Sequence, residues 1–235
     1  KGQLVPLPDK IITTGAFTKK ILDKYGAYPK ERTFAGCALR FESLHEVTLH
    51  PRNCSGRDCM EGFKMLVAFG GSEEEVPLLN YTLEQAGQIP EIVFRTRTHP
   101  TFPFNQLHRL SVWKNKILPA NVEDSDLPRV IDDLEHCDAV LYWGTTVSLE
   151  ALMVGKPIIQ FDRGDFLNYD PLFDFNDFKW QVRNGASLQN ALREILDMPD
   201  EHYADRQQRG RSYIENYLNP VTPERLSLFL PRVDF

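Results

Sequence analysis

The 235 residues include 42% hydrophobic side chains, enough to build a substantial core, and carry a formal net charge of -6. That balance, with a sequence pI near 5.6, excludes DNA or RNA as a partner, because a nucleic-acid binder shows a basic stripe and a far higher domain pI. No apolar run approaches the roughly 18 residues needed to span a bilayer, which excludes insertion and leaves contact with a membrane surface open. The chain begins at Lys1 with no signal-peptide pattern and reads as a piece of something longer. Its four cysteines, Cys37, Cys54, Cys59 and Cys137, are too sparse for a disulfide scaffold and point to a reducing cytoplasm.

Residues 10–14 form a β-branched run, and Phe17, Ile21, Leu22 and Tyr25 recur at helical spacing before Gly26. A second strand is expected at residues 33–35, giving a strand–helix–strand unit too small to bury its own faces. Residues 45–62 lack any period and read as a linker. Residues 64–69 are an apolar strand that ends on Gly70-Gly71, and Ser72 with Glu75 matches a Ser-x-x-Glu helix start. That helix is expected to run to about Ala86 and stop at Gly87.

Further strands are expected at residues 92–96, 116–118, 139–143 and 157–161, with helices at 125–136 and 147–154. Between residues 97 and 115 a loop with Pro and aromatic residues is expected, and beyond Asp162 another loop leads into helices at 187–196 and 202–218. Strands alternating with helices, and apolar on both faces, predict a doubly wound, Rossmann-like parallel sheet with helices on each side. Ligands of such sheets sit at the carboxyl ends of the strands, where these glycine and polar clusters fall.

Around Gly144, Thr145 and Thr146 a strand turns into a helix whose first amides face outward, a place for an anion or else an ordinary turn with a threonine cap. Ser148 ranks below the two threonines for phosphate contact. Glu150, one turn into the helix, could accept hydrogen bonds from a ribose diol or serve only the helix dipole. Gly70, Gly71 and Ser72 shape a second approach loop, but Glu73, Glu74 and Glu75 compete for the same positive helix start. Arg95, Arg97 and His99 share a face if strand alternation continues, and Pro100 fixes the direction of His99. His45, His50, Cys54 and Cys59 are zinc-ligand types at loose spacing, set against a loop with free thiols, and no metal site is expected. Asp162, Asp165 and Asp170 form an acidic cluster that either is solvated or supplies a general base.

The run Cys137-Asp138-Ala139-Val140-Leu141, then Gly144-Thr145-Thr146, then Glu150-Ala151-Leu152, then Gly155-Lys156-Pro157-Ile158-Ile159 resembles the donor-site signature of GT-B glycosyltransferases. It is similar especially to bacterial surface-polysaccharide and capsule transferases, in which a pair like His99-Pro100 and a cluster like Thr145-Thr146 contact the nucleotide phosphate. Sialyl- and Kdo-type transferases with CMP-linked donors share that pair. The opening segment, from Pro8 to Arg40, resembles the last strand–helix–strand unit of the N-terminal domain of such enzymes. The resemblance implies that residues 1–44 end an acceptor-side domain, 45–62 link, and 63–235 form the nucleotide-sugar-binding domain with C-terminal helices. It also implies that the rest of the acceptor domain, which supplies the base in inverting members, is not part of this chain.

Retaining members commonly carry two glutamates eight positions apart, whereas Tyr142 stands eight before Glu150, which favours inversion or at least a different family. The expected function is transfer of a sugar from a CMP-, UDP- or GDP-linked donor to a glycan or glycolipid acceptor, in the cytoplasm or at the inner face of the plasma membrane. No cofactor is expected beyond the donor, which is a substrate. Gly70, Gly71, Ser72, Arg95, His99, Pro100, Gly144, Thr145, Thr146, Ser148 and Glu150 are the expected donor-binding residues. The rivals are a nucleotide-sugar 2-epimerase of the same fold, which shares the His-Pro pair, and a non-catalytic binding or scaffold module.

Overall fold

A computed structural model describes residues 7–52, 55–183 and 188–230. The chain forms two compact units, one of Lys1–Thr48 with Arg211–Phe235 and one of Leu49–Gly210. In the first, β1 (Ile11–Thr13) and β2 (Thr33–Ala35) pair in parallel, joined by α1 (Ala16–Tyr25) as the expected strand–helix–strand unit. The faces this unit cannot cover alone are met by the C-terminal segment. Phe17 packs on the rings of Tyr213 and Tyr217 at 5.2 and 5.6 Å. Asn219 donates its backbone N–H to Thr14 O at 2.9 Å and its side-chain amide to Gly36 O at 3.0 Å.

The second unit is built on six parallel strands: β3 (Lys64–Ala68), β4 (Val93–Arg97), β5 (Val122–Asp124), β6 (Ala139–Tyr142), β7 (Ile158–Asp162) and β8 (Lys179–Arg183). Their order across the sheet is β5-β4-β3-β6-β7-β8, so the chain winds outward in one direction from β3 and then returns to start again beside it at β6. The central strands are nearly fully buried, with Met65–Ala68, Ala139–Tyr142 and Ile158–Phe161 all in the interior, as strands covered on both faces must be. Helices α2 (Val76–Gln88), α3 (Phe104–Leu110), α4 (Val130–Glu135), α5 (Val147–Met153) and α6 (Leu188–Asp197) connect or cover the strands. The first unit's boundary falls within α7 (Asp200–Tyr217), and α8 (Pro223–Leu226) follows, its first turn capped by Thr222 Oγ1 accepting from Arg225 N.

Several elements differ from expectation. The third strand of the second unit is Val122–Asp124, not residues 116–118, where Ile117 is almost wholly exposed. The Asn121 amide decides this by donating to Ala86 O, Ile89 O and Ile92 O at 3.1, 3.1 and 2.8 Å, which brings residue 122 opposite Phe94. The helix expected at 125–136 is only Val130–Glu135, because Pro128 disfavours helical backbone at Leu127 and the extended Arg129 becomes the cap. Strand β8 and helix α3 appear where loops were expected; β8 is recruited by pairing with β7, a contact with no local signature.

A 3-10 turn, Leu39–His45, ends where the segment read as a linker begins, and that segment contains another at Arg57–Met60. Arg52 in this segment closes the end of α6: its guanidinium donates to Ile195 O, Leu196 O and Met198 O at 2.6, 2.7 and 2.6 Å and pairs with Asp200 at 2.9 Å. Helix α6 buries Leu188, Ala191, Leu192, Ile195 and Leu196, one apolar stripe at helical spacing. Its expected start, Ser187, lies outside the described residues.

Candidate functional site

In a doubly wound sheet the ligand crevice opens where the chain reverses its winding direction, since the connections after the two central strands then diverge to opposite faces. Here that point lies between the carboxyl ends of β3 and β6. The loop after β3 is Gly70-Gly71-Ser72, the loop after β6 is Trp143-Gly144-Thr145-Thr146, and His99 follows β4. The three loops touch. A β-carbon added at Gly70 would lie 3.8 Å from Thr145 Cβ, and one at Gly71 would lie 2.7 Å from His99 Cβ and 2.9 Å from Cγ. Gly71 also has φ +102°, so both its backbone angle and the imidazole beside it require glycine.

The amides of the β3 loop are already engaged. Gly70 N, Gly71 N and Ser72 N donate to the Glu75 carboxylate at 2.5, 2.8 and 3.3 Å, and Glu75 is 2% exposed. Ser72 and Glu75 thus form the helix start that the sequence predicted, with a 3-10 turn at Glu73–Glu75 ahead of α2. The carboxylate sits in the concavity that a phosphate would use. The β3 loop therefore shapes the crevice and holds His99 rather than offering free amides.

His99 is exposed, and its Nδ1 accepts from Thr101 N at 3.3 Å and lies 2.7 Å from Thr101 Oγ1. An Nδ1 that accepts a backbone N–H leaves the proton of the neutral ring on Nε2, as a donor free to meet a ligand. Pro100 is exposed beside it. On the opposite loop Thr145 is buried, its Oγ1 accepting from Val147 N at 3.4 Å, while Thr146 is exposed at the start of α5. Gly144 passes under the loop after β7: a β-carbon there would lie 2.9 Å from Tyr169 Cβ. Glu150 stands one turn into α5, half-buried, its N–H bonded to Thr146 O at 3.4 Å.

Two expected residues do not join this group. Arg95 lies two residues before the end of β4 and is bound across to β5, its guanidinium on Glu123 at 2.6 and 2.7 Å. Ser148 is fully buried and donates to Thr145 O at 2.9 Å, so it closes the helix start from inside. Arg97, on the same face as Arg95, holds the buried Asp133 at 2.5 Å together with Leu127 O. Strand alternation places Arg95, Arg97 and His99 alike, but acidic partners on β5 and α4 claim the two guanidinium groups.

The acidic cluster separates into three structural roles. Asp170 is buried and accepts from the Tyr142 hydroxyl at 2.9 Å, Leu172 N at 2.9 Å and the Lys179 ammonium at 2.8 Å. Burial, then the neighbouring Asp170 charge, raises the Tyr142 phenol well above its usual range. Asp162 takes Gly164 N at 2.8 Å and Arg183 at 2.6 Å. Asp165 pairs with Arg163 at 3.0 Å. Arg163 also donates to Glu74 O at 2.6 Å and stacks on the Trp143 ring at 4.7 Å, with the Tyr169 ring 5.1 Å from Trp143 on the same indole. Sequence reading missed this Arg163–Trp143–Tyr169 stack and the part played by Glu75. The Ser-x-x-Glu spacing was the one available signal for Glu75.

Among the described residues no group of three or more His, Cys, Asp or Glu side chains is placed to hold a metal ion. Of the zinc-type residues, His45 falls in the first unit and His50 in the second, Cys59 is disulfide-bonded, and Cys54 lies outside the described residues. No helix of the described residues is long and apolar enough to cross a membrane.

These features define a doubly wound α/β protein with a ligand crevice at its switch point. Known structures share this fold. The glycosyltransferase SnogD from Streptomyces nogalater matches 93% of this chain and 56% of its own length at 18% identity, with a TM-score of 0.52. A glycosyltransferase from Rickettsia africae matches 89% of this chain and 59% of its own length at 13% identity, with a TM-score of 0.56. TarM matches 94% and 42% at 17% identity, with a TM-score of 0.51. The chain thus has the fold of GT-B glycosyltransferases and spans about half the length of the solved structures it matches. No family model and no curated protein matches the sequence.

Proposed function

We propose that the crevice between β3 and β6 holds a nucleotide-activated sugar, and that this chain is the donor-binding part of an inverting glycosyltransferase acting on a surface polysaccharide or glycolipid. One observation carries the reading: the loops after β3, β4 and β6 meet at the switch point, where Gly71 packs on His99 and Gly70 lies beside Thr145. The fold shared with glycosyltransferases supports it.

In this reading the donor phosphates lie against Gly144, Thr145 and Thr146 and take a hydrogen bond from His99 Nε2, while Glu150 accepts from the ribose. The acceptor oxygen bonds to the anomeric carbon as the bond from that carbon to the phosphate oxygen breaks, and the departing nucleotide gains negative charge. Prearranged donors aimed at that charge lower the barrier. Asp162, Asp165 and Asp170 are each committed to a cation, and in this reading the base that takes the acceptor proton comes from an acceptor-side domain. The reaction belongs in the cytoplasm or at the inner membrane face, and exposed Phe166 and Leu167 on the loop after β7 suit a peripheral lipid contact.

Thermal unfolding with CMP, CDP, UDP and GDP tests the site. A ligand at about 100 times its dissociation constant stabilises by ~2.7 kcal/mol, or roughly 5–10 °C for a protein this size. The nucleotide of the natural donor should give that shift, and His99→Ala and Thr145→Ala should reduce it. No shift with any of the four refutes the proposal, and unchanged affinity in both variants favours a scaffold. An epimerised sugar nucleotide formed without acceptor would replace transfer by epimerisation.

A further inference from the structure

A cavity of about 340 Å³ opens at the opposite end of the same sheet, where β3, β6 and β7 begin. Its wall includes Phe63 ahead of β3, Asp138 ahead of β6, Lys156 ahead of β7, Leu196 at the end of α6 and Tyr203 on α7. Lys156 is only 3% exposed and Tyr203 only 5%. Among the described residues neither the Lys156 ammonium nor the Tyr203 hydroxyl has a hydrogen-bond or ion-pair partner.

That is not how this protein treats a buried lysine elsewhere. Lys179, with a side chain 5% exposed, is satisfied by Asp170 and by Leu172 O at 2.6 Å. The bodies of Lys156 and Tyr203 are buried while their polar tips, unlike the buried and unpartnered Thr82 Oγ1, open on the cavity; two unpartnered donors lining one cavity describe a receptor for an anion. Two neighbouring charged groups are already engaged. Arg52 caps α6, pairs with Asp200 and stacks on the Tyr203 ring at 4.7 Å, which fixes the phenol. Asp138 accepts from Lys64 N at 2.8 Å. Burial raises the Tyr203 phenol far above its usual range, so it remains a neutral donor. Glu135 and Asp138 in the wall repel a highly charged ligand.

We propose that this cavity is a second ligand site, separate from the nucleotide crevice, for a small organic molecule with a single carboxylate or phosphate group. Lys156 and Tyr203 hold the anionic group, and the apolar part of the molecule lies on Phe63 and Leu196.

Benzoate and phenyl phosphate are suitable probes, since they carry the two anionic groups on the same ring. Calorimetric titration at constant ionic strength should show one site for at least one of them, and which probe binds tells carboxylate from phosphate. In Lys156→Met the affinity should fall about tenfold or more, and in Tyr203→Phe about three- to tenfold, the scale of a lost charged and a lost neutral hydrogen bond. His99→Ala should leave it unchanged. Failure of both probes to bind the wild-type protein overturns the proposal, as does equal affinity in Lys156→Met, or loss in His99→Ala. Should Lys156→Met fail to fold, Tyr203→Phe decides: unchanged affinity overturns the site, and the stated loss supports it.

Discussion

Replacing Glu75 by alanine removes the one acceptor that satisfies three backbone N–H groups of the β3 loop, at 2.5, 2.8 and 3.3 Å, from a position 2% exposed. A hydrogen bond to a charged group contributes about 1.5–3 kcal/mol, and a buried donor left unpaired costs about 1–3 kcal/mol. The three are not additive, because they share one carboxylate and the longest is weak. A combined loss of about 3 kcal/mol follows, and at roughly 2–4 °C per kcal/mol the melting temperature should fall by about 6–12 °C. Glu75→Gln keeps the shape and one acceptor oxygen but turns an NH2 toward the amides, so about half of that loss is expected. Calorimetry of the two variants against wild type reads the effect, and a fall under about 2 °C in Glu75→Ala refutes the structural role given to the carboxylate. Nucleotide titration adds a second readout. With Gly71 no longer pinned against His99, binding should weaken; tighter binding would put the phosphate in the emptied amide concavity and move the site from β6 to β3.

Asp170→Asn breaks a buried pair with Lys179 and should cost about 3–5 kcal/mol in denaturant unfolding, whereas Asp165→Asn, at the more exposed pair with Arg163, should cost under about 1 kcal/mol. Equal losses would contradict the separation of that acidic cluster into buried and surface roles. Burial, with the Lys156 ammonium adding and Glu135 opposing, lowers the His50 imidazole below its ordinary 6.5. The unfolded chain then takes up the proton first, so this stability is present above about pH 6.5 and is lost as pH falls through that value toward the folded pKa. The melting temperature should drop between about pH 7 and about pH 5.5, and less steeply in His50→Gln; an equal slope in that variant removes His50 as a cause. His45, lowered mainly by burial, leaves a residual slope.

Much of the fold was legible from local chemistry. Apolar runs located β3, β6 and β7, the first two leading into glycine turns, because a strand covered on both faces is mostly apolar. Helical spacing located α1, and the Ser-x-x-Glu start located α2. Gly70, Gly71, His99, Gly144, Thr145 and Thr146 were recognisable as loop residues at strand ends, since glycine, hydroxyl and His-Pro chemistry acts within a few residues of chain.

What the sequence could not decide depended on partners far away along it. That β6 returns to lie beside β3, 74 residues on as the Met65–Ala139 pair, creates the crevice, and no local pattern encodes that adjacency. Arg95 looked like a phosphate ligand until Glu123, 28 residues later, claimed it. Strand β8 and the place of Asn219 beside Thr14 depend in the same way on surfaces that exist only once the chain has folded. The glycine, hydroxyl and His-Pro residues gathered at the crevice were therefore readable in advance as loop residues. Which neighbouring polar groups are already engaged was settled by the charges that folding brought against them, Glu75 on the β3 amides and Glu123 on Arg95.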